Sequence, residues 1–141
     1  SSYERVGTPE RPINNELKMS CIHKLMEFIK DLKSTRLAKD CPDIIDKFCG
    51  YLNKYIQFLT IKPQPDIKST DQMPFCENRK SRLRGADHEE NIIKAQAKKL
   101  INFLCIPEIA SRDRLGMGKF QLLGHTSREL LNASKINQFE R

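Results

Sequence analysis

Apolar residues recur every three or four positions along two long stretches of this chain, a spacing that a helix with one buried stripe requires. From Asn14 to about Leu37 the stripe is Leu17, Cys21, Ile22, Leu25, Phe28, Ile29 and Leu32, with Lys24, Glu27, Lys30, Asp31 and Lys33 between. No Gly or Pro interrupts it. A second stripe follows from Asp40-Cys41-Pro42-Asp43: Ile44, Ile45, Phe48, Cys49, Leu52, Tyr55, Ile56 and Leu59. Pro42 suits a first helical turn because its missing N–H would be unpaired there, and Asp43 complements the positive end of the helix dipole. Gly50 is the one residue against helix, at about 1 kcal/mol relative to Ala.

The stretch from Thr60 to Ala86 is of another kind. Pro63, Pro65 and Pro74 break regular structure and apolar residues are sparse, so a long polar connection is expected. Asp87 with Glu90 three positions later forms a capping-box pattern that opens a third helix. Ile92, Ile93, Ala97, Leu100, Ile101, Phe103 and Leu104 give its stripe, and Glu90 and Lys94 stand in the favourable order for an ion pair. Pro107 ends this helix or starts a short one, and Gly116-Met117-Gly118 reads as a break. Thr126 with Glu129 predicts the start of the last helix, which carries Leu130, Leu131 and Ala133. Strand signals are weak throughout. The expected fold is all-α, a bundle of four to five helices arranged as two antiparallel hairpins around the long connection between the second and third helices. Residues 1–13 are expected to be a flexible lead-in to a single helical domain over 14–141, with a mobile loop at 60–86.

At 141 residues the chain is long enough to bury a core without staples. That size, together with an odd number of irregularly spaced cysteines (Cys21, Cys41, Cys49, Cys76 and Cys105), predicts reduced thiols and a nuclear or cytoplasmic setting. In such a setting the glycosylation sequon Asn132-Ala133-Ser134 is a chance match. No apolar run approaches a membrane span. The chain begins Ser1-Ser2-Tyr3 and is expected to be an excised piece of a larger protein.

Catalytic and metal chemistry fail on spacing. Gly116-Met117-Gly118-Lys119 lacks the preceding glycine and following hydroxyl of a phosphate-binding loop. Cys21 and His23 are two apart, which on a helix sets them about 160° from each other, unsuited to one zinc ion. No Cys–His pair carries a local signature of nucleophilic catalysis. No enzyme activity, metal or cofactor is therefore expected.

What remains concerns binding. The net charge of +7 favours acidic partners, and Arg79, Lys80, Arg82 and Arg84 form the densest basic cluster, which Lys94, Lys98 and Lys99 extend along the third helix. Those seven residues are the candidates for phosphate or acidic-partner binding, and the cluster also resembles a nuclear-import signal. Met19 and Met26 on the first helix and Tyr51 and Tyr55 on the second lie beyond a single core stripe and are the candidates for a partner-binding groove. The expected function is a non-catalytic protein–protein interaction module or scaffold that recruits a partner helix, peptide or subunit. The alternative is nucleic-acid binding through segment 79–99.

Overall fold

The computed structural model describes residues 10–61, 85–106 and 118–139, and among these the protein is all-α, with five helices and no strand. They are α1 (Glu10–Lys33), α2 (Arg36–Asp40), α3 (Pro42–Ile61), α4 (Gly85–Cys105) and α5 (Lys119–Phe139). The two stripes read from the sequence become the inner faces of α1 and α3. Leu25, Phe28 and Leu32 from α1 and Ile45, Phe48, Leu52 and Leu59 from α3 are buried in one core with Ile93, Ala97, Leu100 and Ile101 of α4 and Leu122, Leu130 and Ala133 of α5.

Helix boundaries move where local chemistry outweighs periodicity. The first helix begins at Glu10, four residues before Asn14, so Pro12 falls in the first turn, where its lack of an N–H is harmless. It stops at Lys33 and not near Leu37, because Thr35 caps a new helix. The Thr35 backbone is extended, and its hydroxyl accepts the Ala38 N–H at 3.4 Å and donates to the Leu32 carbonyl at 2.6 Å. The result is the short α2, whose Leu37 and Ala38 pack against the core edge. Pro42 opens α3 as the sequence predicts. Gly50 lies in its interior, and a Cβ there would meet nothing within 4 Å, so no crowding calls for glycine.

The last helix is the largest correction. It starts at Lys119, seven residues before the Thr126 capping box, and the Leu122 N–H reaches the Gly118 carbonyl at 3.0 Å. Thr126 is therefore interior to the helix and wholly buried, and its hydroxyl has no hydrogen-bond partner among the described residues. Phe120-Gln121-Leu122-Leu123, too short an alternation to define a strand, is helical. The residues expected to form the mobile loop lie, apart from those at its two ends, outside the described residues, as do most of the lead-in and Pro107 to Met117.

The expectation of reduced thiols is overturned at two of the five cysteines. Cys21 on α1 and Cys105 at the end of α4 form a disulfide, their Cα atoms 5.0 Å apart and 84 residues apart in sequence. Both are buried in the core, so the stripe of the first helix placed Cys21 correctly and only its chemistry was misjudged. A crosslink that closes so long a loop removes much of the unfolded chain's freedom, roughly 4–5 kcal/mol in the chain-entropy model. Cys41 and Cys49 are free thiols. Burial pushes the Cys49 thiol up to about 11 from its usual 9.0, with the Lys33 ammonium opposing the rise and the Asp46 carboxylate adding to it.

Candidate partner-binding face

Positions 19 and 26 are seven apart on α1, two turns with a drift of only about 20°, so they project from one line of the helix. That line faces away from the core stripe of Cys21, Leu25, Phe28 and Leu32. Met19 is 55% exposed and Met26 57%, and the exposed His23 stands between them. Large apolar side chains in the middle of a helix ordinarily turn inward, and here two thioethers face water. Ile61 and Phe120 are also exposed, but each stands at the end of its helix, one and three positions from the nearest undescribed residue. Met19 and Met26 lie mid-helix.

The tyrosines read as part of the same groove belong elsewhere. Tyr55 is 2% exposed and stacks with Phe58 at a centroid distance of 5.9 Å. Tyr51 is 7% exposed and sits at the junction of α3 with α4. Tyr55 also belongs to the α3 core stripe, and at Tyr51 the packing of α4 on α3 closes over the flank. They are core residues, and the candidate face narrows to α1.

Around Tyr51 the structure assembles a charged cluster that sequence spacing only hinted at. The Tyr51 hydroxyl donates to Glu90 Oε1, while the ammonium groups of Lys54 and Lys94 lie over its ring at 5.1 and 5.7 Å from the centroid. One residue earlier on α4, the buried Glu89 accepts from Lys47 at 3.3 Å. Lys47 and Tyr51 lie in the first half of α3 and Glu89 and Glu90 in the first turns of α4, so the two helices start at the same end. Burial holds the Tyr51 hydroxyl well above its usual 10.0, and the hydrogen bond and negative charge of Glu90 raise it further. The Glu90–Lys94 pair expected from their spacing is thus shared through a tyrosine.

The basic candidates divide. Arg79, Lys80, Arg82 and Arg84 lie outside the described residues. Lys94 and Lys98 are half-buried, Lys94 engaged by Tyr51, and Lys99 is exposed. On α4, then, the three lysines do not form a uniform wet stripe. Cys21 and His23 point apart as their spacing requires, one into the core and one into solvent. Among the described residues no group of three or more His, Cys, Asp or Glu side chains could hold a metal ion. A cavity of about 230 Å³ lies where α1, the end of α4 and the start of α5 meet. Phe28, Phe103, Leu104 and Leu122 line it, and Lys24, also in its wall, donates to the Leu104 carbonyl at 3.4 Å. No described helix is long and apolar enough to cross a membrane. No family model matches the chain, and no curated protein or solved structure is detectably similar to it.

Proposed function

We propose that the chain is a non-catalytic helical domain that binds a protein partner through the outward face of α1, and that it works in an oxidising compartment. The observation that carries the binding half is the exposed pair Met19 and Met26, one above the other in the middle of α1. Thioether side chains adapt to irregular apolar surfaces, which suits them to a partner's helix or peptide. Burying the exposed half of one Met side chain is worth about 1–1.5 kcal/mol. Two of them supply roughly a quarter to a third of the free energy of a micromolar contact. The compartment half rests on Cys21–Cys105, a bridge that cytosolic and nuclear conditions would keep reduced. It replaces the nuclear or cytoplasmic setting expected from the cysteine count.

The test places a photo-crosslinking amino acid at position 19, 26 or, as a control, the exposed Gln57 of α3, with the chain applied to intact cells and their secreted proteins. Positions 19 and 26 are expected to yield the same crosslinked protein and position 57 none. The double variant Met19→Ser, Met26→Ser is expected to lose at least about tenfold in affinity for that protein while melting as the parent does. Equal crosslinking from all three positions, or unchanged affinity of the double variant, overturns the assignment to α1.

A further inference from the structure

Asn132-Ala133-Ser134 has the sequence of an N-glycosylation acceptor, and the reduced-thiol setting that argued against its use does not hold for a chain bridged at Cys21–Cys105. We infer that Asn132 is a glycan acceptor, an inference that rests on the oxidising compartment proposed above. The geometry of α5 supports it independently. Leu122, Thr126, Leu130 and Ala133 form the buried side of that helix. Asn132 lies outside that side and is exposed, as are its neighbours Arg128 and Lys135 one turn away in each direction. A sugar on the Asn132 amide therefore enters solvent without displacing any core residue. Leu131, beside it and 36% exposed, would gain cover from the first sugars.

The chemistry is a glycosyl transfer. The Asn132 side-chain nitrogen attacks the anomeric carbon of a lipid pyrophosphate-linked oligosaccharide. A C–N bond forms, the C–O bond to the pyrophosphate breaks, the lipid pyrophosphate leaves with the electron pair, and the amide gives up one proton to the transferase base. The Ser134 hydroxyl completes the acceptor sequence that the transferase recognises. A glycan on the outer face of α5 would also keep that face from serving as a contact surface, which leaves α1 free for the partner.

The test translates the full chain behind a cleavable signal sequence in the presence of microsomes, and also secretes it from mammalian cells. Expected is a slower-migrating species that peptide-N-glycosidase converts to the unmodified mobility and that is absent in Asn132→Gln and in Ser134→Ala. A chain that enters the microsomes and stays unmodified overturns the acceptor assignment, whether or not it is later secreted. Non-reducing mass spectrometry of the same material reads Cys21–Cys105 separately. A glycosylated chain with open thiols would therefore count against the compartment reading alone, and a bridged chain without glycan against Asn132 alone.

Discussion

Tyr51 shows how one side chain collects the charges of two helices. Its ring lies near the ammonium groups of Lys54 and Lys94, and its hydroxyl donates to Glu90. Burial disfavours the phenolate most, and the hydrogen bond to Glu90 and its negative charge act in the same direction. The sign of the pH dependence follows. The folded-state value lies above the unfolded one, so the stabilisation is complete below about pH 10 and is lost as pH rises beyond it. Wild-type protein is therefore expected to lose melting temperature between about pH 10 and 12 more steeply than Tyr51→Phe, which has no proton to release. Equal slopes in calorimetric scans of the two proteins would contradict this. In the sequence Tyr51 was visible only as an aromatic at the flank of a stripe. Its role depends on which residues α4 brings alongside, and periodicity along one helix carries no such information.

At the level of elements, the α3–α4 contact separates two ion pairs that a list of charges would equate. Arg36 and Asp40 on α2 stand 3.7 Å apart, both well exposed, where water and salt screen them and the expected contribution is within about 0.5 kcal/mol of zero. Glu89 is buried and Lys47 half-exposed at 3.3 Å, so deleting the lysine leaves a carboxylate with little water and one cation fewer. Urea unfolding is expected to show Lys47→Ala costing about 1–2 kcal/mol and Arg36→Ala close to nothing. Similar losses for both would refute the assignment of the α3–α4 contact. The inner faces of α1, α3 and α4 were legible because each stripe is long and unbroken. The ends were less so. Thr35 looked like one more polar position on a continuing helix until its hydroxyl was seen capping α2, and Thr126 had the sequence of a cap yet is buried seven residues into α5. Hydroxyl residues satisfy orphan backbone groups at a helix start or pack within its interior, and local sequence does not distinguish the two.

At the scale of the whole molecule, the described residues form a helical core that the Cys21–Cys105 bond ties together across 84 positions of sequence. That bond changes three readings at once. It supports the proposed oxidising compartment over a reducing one, it is the ground on which the Asn132 sequon is inferred to be used, and it directs the search for a partner of the Met19–Met26 face toward secreted or cell-surface proteins. None of this was legible from five unevenly spaced cysteines, because pairing depends on which two stripes meet, and Cys21 and Cys105 are equally at home in a core as small apolar residues. The most direct measurement is a tryptic map of unreduced protein, alkylated under denaturing conditions so that every free thiol is marked. The peptide spanning residues 19–24, which holds Cys21, is expected to be disulfide-linked to the peptide spanning 100–112, which holds Cys105, and to separate from it only after reduction. Recovery of both peptides individually with alkylated cysteines, from protein purified without reductant, would contradict the account.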